Sequence, residues 1–159
     1  MLTYSYARSE ITLTIAAGVL ATAIVGYYFG WWALLPALLA LALLSFYRNP
    51  PRAPAARGNV ILAAADGKIV SIDRNVAGAN DAPELRIMTF LAVYNVHVNR
   101  APCAGRVVKV DYRPGKYLNA LNPAADVENE SNEITLEPVA PLPGPVRVRQ
   151  IAGVLARRI

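Results

Sequence analysis

Between Glu10 and Arg48 the chain carries no Asp, Glu, Lys or Arg. A charge-free stretch of this length has no place on the surface of an ordinary soluble domain, and it constrains the fold more than any other feature. Residues 11–29 and 31–47 are each near the ~20 residues that cross a bilayer as a helix. One unbroken helix over residues 11–46 would reach ~54 Å at ~1.5 Å per residue, too long for a ~30 Å hydrocarbon core. Gly30 interrupts the run within Tyr27-Tyr28-Phe29-Gly30-Trp31-Trp32. Aromatic rings favour the headgroup region, so the spacing predicts a two-helix hairpin that turns at the far interface. Arg8, Arg48, Arg52 and Arg57 then gather at the near interface, which makes that side cytoplasmic and places the chain at the cell membrane. A cleaved secretory signal would be shorter and end at small residues, whereas Tyr47-Arg48-Asn49-Pro50 follows here. A re-entrant hairpin confined to one leaflet is the alternative, and Pro36 permits a kink without forbidding a span.

Residues 1–47 are therefore read as a membrane anchor, 48–59 as a stiff Pro- and Arg-containing linker, and 60–159 as a small β-rich domain. The net charge of +5 fits an anionic lipid surface. A nucleic-acid partner is not expected, because no long basic face interleaved with aromatics occurs. Cys103 is the single cysteine, so no internal disulfide forms and no metal-ligand spacing arises.

Past residue 60 the apolar residues come in short runs bounded by turn formers. Residues 60–65 lead into Asp66-Gly67, a strong turn signal, and residues 68–72 resume as a strand. Residues 74–84 read as a loop, and 85–93 and 106–112 as strands. Arg113-Pro114-Gly115-Lys116 is a further turn, residues 118–130 are polar with room for a short helix, and 132–137 and 146–152 close the pattern as strands. The expected class is mainly β, with strongly bent sheets behind an α-helical transmembrane hairpin.

The chemistry-bearing residues are few. His97 is the only histidine and is expected at the end of a buried strand, where it is either a structural side chain or a proton-transfer group. Asp66 is either a turn former that caps its own backbone or a carboxylate that orients His97. Arg100 can bind a phosphate or carboxylate through its planar fork, or pair with a glutamate. Glu128 and Glu130 sit in a polar knot whose plainer reading is a solvated loop. No phosphate cradle or Ser-His-Asp order stands out, and these residues alone leave the function open.

Several motifs taken together say more. Tyr47-Arg48-Asn49-Pro50-Pro51-Arg52, Ala65-Asp66-Gly67-Lys68-Ile69-Val70 and Asn95-Val96-His97-Val98-Asn99-Arg100-Ala101-Pro102 occur in this order. Pro114-Gly115-Lys116-Tyr117-Leu118-Asn119-Ala120, Glu128-Asn129-Glu130-Ser131-Asn132 and Gln150-Ile151-Ala152-Gly153-Val154-Leu155-Ala156-Arg157-Arg158 continue the series. From about Tyr47 onward the chain resembles phosphatidylserine decarboxylase in its short, membrane-anchored form.

The resemblance implies a lyase that makes phosphatidylethanolamine from phosphatidylserine in phospholipid biosynthesis. It implies a proenzyme that cleaves itself at a Gly-Ser pair into a β and an α subunit, the serine becoming the pyruvoyl cofactor. By the same resemblance Asp66 supports self-cleavage and His97 serves the decarboxylation chemistry. Asn99, Arg100 and Tyr117 are separately expected to bind substrate. Implied partners are phosphatidylserine in the bilayer and the α subunit of the same proenzyme, with self-association left open. Two positions depart from the family: Arg100 stands where longer bacterial relatives carry a second histidine, and Asn132 where an arginine is common. No Gly-Ser pair occurs in the 159 residues. The chain is accordingly expected to be a β subunit or a truncated proenzyme, inactive by itself. The alternative is a non-catalytic, membrane-tethered adaptor of lipoyl-like barrel-sandwich shape, suggested by the turns at Pro102-Cys103-Ala104-Gly105 and Pro114-Gly115-Lys116.

Overall fold

Leucines and alanines favour helix at the start of the chain, and the computed structural model shows α1 (Arg8–Phe29) and α2 (Leu34–Phe46). The structure describes residues 7–54, 60–77, 83–139, 142 and 144–159. A short 3-10 turn, Gly30–Ala33, joins the two helices. Gly30 has φ +60°, a conformation that a Cβ would disfavour, and its N–H donates to the Gly26 carbonyl. The chain folds back there. A Cβ at Gly18 would lie 2.6 Å from the Ala40 Cβ, so the helices meet at close range through small residues. Pro36 falls in the first turn of α2, where a missing N–H costs little. The helical stretch Arg8–Phe46 is long and apolar enough to cross a membrane. Leu13 and Leu38, 70% and 60% exposed, show that its apolar surface faces outward rather than into a protein core.

The remaining chain forms two open antiparallel sheets. β1 (Lys68–Ala77) pairs with β2 (Pro83–Phe90), with Ile72 opposite Ile87. β3 (Gly105–Arg113), β4 (Ser131–Pro138) and β5 (Val146–Ile151) form a meander in the order 3-4-5. A four-residue helix, α3 (Ala125–Glu128), precedes β4. The chain clusters into two compact units, one of Met1–Arg52 with Ala65–Val98 and one of Ala53–Ala64 with Asn99–Ile159. The strands after the linker are divided between the units, β1 and β2 in the first and β3, β4 and β5 in the second.

The class is mixed α and β, with helical hairpin and small sheets side by side in the chain, rather than mainly β. Among the described residues the strands form one two-stranded and one three-stranded open sheet, and neither closes into a barrel. The reason is visible on β3, where Val107, Val108 and Val110 are all exposed and no second sheet of the same unit covers them. Residues 60–63 are not a strand. The Leu62 N–H donates to the Pro102 carbonyl at 2.8 Å, and β1 takes β2 as its partner instead. β1 also runs on to Ala77, into a segment expected to be loop. Residues 55–59 of the linker, with Arg57, lie outside the described residues.

Candidate active site

The apolar run that precedes His97 does not carry it as a strand. β2 stops at Phe90, and a tight turn follows in which the Asn95 N–H donates to the Ala92 carbonyl at 2.8 Å. The Asn95 side-chain oxygen accepts from the Ala92 N–H, also at 2.8 Å, closing the turn from both sides. His97 therefore lies in irregular backbone, fixed by the turn before it and by buried Val96.

Two contacts define the imidazole. Its Nδ1 lies 3.0 Å from the Asn95 carbonyl oxygen. A carbonyl only accepts, so Nδ1 carries the proton and Nε2 is left with the lone pair. One face of the ring lies against Phe46, the last residue of α2, with centroids 4.2 Å apart and planes at 32°. Burial lowers the His97 pKa below its ordinary value, the hydrogen bond to Asn95 opposes that shift, and the Arg48 guanidinium adds to it. The ring is thus neutral at pH 7, with Nε2 able to take up a proton.

Arg48 reaches back to the Ser45 carbonyl at 3.0 Å and across to the Tyr94 carbonyl. Asp66 forms an ion pair with Arg52. The carboxylate expected to orient His97 is therefore engaged elsewhere, and the Asn95 carbonyl occupies the place at Nδ1. Phe46 was missed by sequence reasoning, and Arg48, Arg52 and Asn95 were singled out there without these contacts. An aromatic residue and two arginines directly after the apolar run were the available signal.

In the second unit the Arg100 N–H donates to the Ala64 carbonyl at 2.8 Å. Asn99 is half-buried beside it. Tyr117 donates its phenol to Glu130 at 2.6 Å, which raises its pKa, and the Arg157 guanidinium lies 5.1 Å from its ring centroid. Glu128 pairs with Lys116 at 2.6 Å. Between the two glutamates, Asn129 is 2% exposed and spends its side chain on backbone, accepting from the Leu118 N–H and donating to the Leu118 and Ala152 carbonyls. The polar knot is a stitch between chain segments rather than a solvated loop. No group of three or more His, Cys, Asp or Glu side chains suited to a metal occurs among the described residues.

The apolar helical stretch is long and apolar enough to cross a membrane, and the His97 imidazole lies between the Asn95 carbonyl and the Phe46 ring. A family model described as phosphatidylserine decarboxylase matches residues 39–159. The chain belongs to the phosphatidylserine decarboxylase family. It is 42% identical over 147 residues to a phosphatidylserine decarboxylase proenzyme of Granulibacter bethesdensis, an alignment covering 89% of this chain and 59% of that protein. The corresponding proenzyme of Pelobacter propionicus is 39% identical over 154 residues, 97% of this chain and 67% of the relative. That of Rhodopirellula baltica is 44% identical over 156 residues, 94% and 61% respectively. The chain spans 59% to 67% of the length of these curated relatives.

Proposed function

We propose that this chain is the β-subunit part of a membrane enzyme that decarboxylates phosphatidylserine to phosphatidylethanolamine. The observation that carries the reading is His97, neutral, bonded through Nδ1 to the Asn95 carbonyl and held against the last residue of the apolar hairpin. A lipid substrate stays in the bilayer, so a reactive group tied to the end of a membrane helix meets the headgroup without extracting it. Arg8 at the start of α1 and Arg48 and Arg52 after α2 put basic residues at the same end of the hairpin, which suits an anionic, cytoplasmic leaflet.

Loss of carbon dioxide leaves an electron pair on the former α-carbon that must receive a proton. An imidazole near its titration range can collect a proton at Nε2 and deliver it. Burial and Asn95 hold the ring in one tautomer and one orientation for that transfer. We assign Asp66 to self-cleavage on the family resemblance, and Asn99, Arg100 and Tyr117 to substrate binding, Arg100 through its planar fork.

The pyruvoyl group, the electron sink of the family's chemistry, does not fit the serines present. Among the described residues Ser9, Ser45 and Ser71 bond to Glu10, the Ala42 carbonyl and Asp73 and Ser131 is buried in β4, and none of the five serines of the sequence, Ser5 included, follows a glycine. These 159 residues alone should therefore be inactive, and the group would come from polypeptide outside them. The test is to express the complete reading frame and measure ethanolamine lipid formed from phosphatidylserine vesicles, with intact mass before and after borohydride. Turnover together with a small chain that gains two hydrogens supports the reading. A reducible chain without turnover refutes it.

A further inference from the structure

The segment Tyr47-Arg48-Asn49-Pro50-Pro51-Arg52, with Phe46 before it, is a sequence motif to which the reaction assigns no task. Its side chains converge on both groups of the proposed chemistry. Phe46 covers one face of the His97 ring at 4.2 Å. Arg48 bridges two carbonyls, that of Ser45 at the end of α2 and that of Tyr94 in the turn before His97. The next residue in that turn, Asn95, accepts the His97 Nδ1 proton. Four residues after Arg48, Arg52 pairs with Asp66.

Stability alone gives little reason for the outermost of these contacts. The Arg52–Asp66 pair is substantially exposed, 49% and 38% for the two side chains, and exposed ion pairs contribute little. Arg48 spans its two acceptors with a planar fork, which a lysine ammonium at one point cannot do. Proline at positions 50 and 51 restricts the backbone between the arginines, so their separation is preset.

We propose that Phe46, Arg48 and Arg52 are positioning residues: the segment leaving the apolar hairpin holds the His97 imidazole and the Asp66 carboxylate in place, so that anchor and reactive groups form one unit. The inference rests on the decarboxylase reading for what His97 and Asp66 do, but not for where they are held. It gives the membrane hairpin a second task, because its last helical residue is the wall of the reactive site.

The test uses the protein expressed from its complete reading frame, in lipid nanodiscs, with ¹⁵N-labelled histidine. In Phe46→Ala the His97 titration midpoint moves upward toward the ordinary value of ~6.5 and the ring-current shift of the imidazole protons disappears. Phe46→Trp restores both. Turnover of phosphatidylserine falls on the order of tenfold in kcat for Phe46→Ala with little change in KM, because the residue orients a group rather than binding substrate. Arg48→Met, at a partly exposed position that folding tolerates, also raises the midpoint. Arg52→Met slows self-cleavage several-fold, and Arg52→Lys recovers most of the rate. Wild-type titration, chemical shift and kcat in both Phe46→Ala and Arg48→Met overturn the proposal. Failure of the decarboxylase reading has a different signature: the wild type turns over no phosphatidylserine while the two variants still move the His97 resonance.

Discussion

The imidazole of His97 and the phenyl ring of Phe46 lie against each other, 4.2 Å between centroids with planes tilted by 32°, although one follows a β-hairpin and the other ends an apolar helix. This contact joins the most apolar part of the chain to its single titratable group near neutral pH. Its first consequence concerns chemistry. His97→Gln keeps a side-chain donor near the Asn95 carbonyl but has no group that titrates near pH 7. Decarboxylation by the complete protein should fall at least ~100-fold, the usual contribution of a positioned acid–base group. Headspace carbon dioxide from carboxyl-labelled phosphatidylserine measures it, and near-wild-type release in His97→Gln would remove the imidazole from the mechanism.

The pH dependence of stability follows from the same burial. The folded-state pKa of His97 is lowered below ~6.5, the value of an unperturbed histidine. Between that lowered value and ~6.5 the unfolded chain binds more protons than the folded one. Its contribution to stability is therefore complete above about pH 6.5 and is lost as pH falls through this window. Denaturation of the wild type and of His97→Gln across the window should show an extra downward slope in the wild type alone. Parallel profiles would mean the ring is as solvated folded as unfolded.

Several elements were legible because they are local. Gly30 within an aromatic cluster marks the helix break, and β3, β4 and β5 start and stop within a residue or so of where turn formers bound the apolar runs. His97 was legible as the candidate group, since no other histidine competes with it. Its surroundings were not. Asn95 breaks the expected strand by a side-chain bond to Ala92, a competition between turn and ladder that composition does not decide. Residues 60–65 have the pattern of a strand, yet Leu62 bonds to Pro102, a pairing set by distant chain. The contacts of Phe46 with His97 and of Arg52 with Asp66 are likewise non-local, and periodicity carries no signal for them.

Asn129 offers a test of the second unit. Replacing it by leucine leaves the Leu118 N–H and the Leu118 and Ala152 carbonyls without their partner in a site that is nearly closed to water. An unsatisfied buried group costs about 1–3 kcal/mol, so a loss of about 2–4 kcal/mol is expected once partial rescue by water is allowed. Chemical denaturation followed by Trp-independent far-ultraviolet dichroism of the strands reads it. Glu130→Gln, which leaves the stitch intact, should cost under ~1 kcal/mol.

The hairpin makes the final prediction, because its packing has no room to spare at one point. At Gly18 even a methyl group would meet the Ala40 Cβ at 2.6 Å, and at Gly26 a Cβ would lie 3.3 Å from that of Ala33. In a bilayer no hydrophobic force drives helices together, so close approach through small residues is what holds them. Gly18→Leu must force α1 and α2 apart near their middle, while the turn at Gly30 still joins them at one end. Spin labels at Thr14→Cys and Leu43→Cys, in a Cys103→Ser background, should report a separation increased by more than ~2 Å, since a leucine sets interaxial distances nearer 10 Å than 8 Å. The same widening displaces Phe46 from the His97 ring, so Gly18→Leu should also shift the imidazole resonance. An unchanged label distance would show that the two helices do not pack through Gly18 in the membrane.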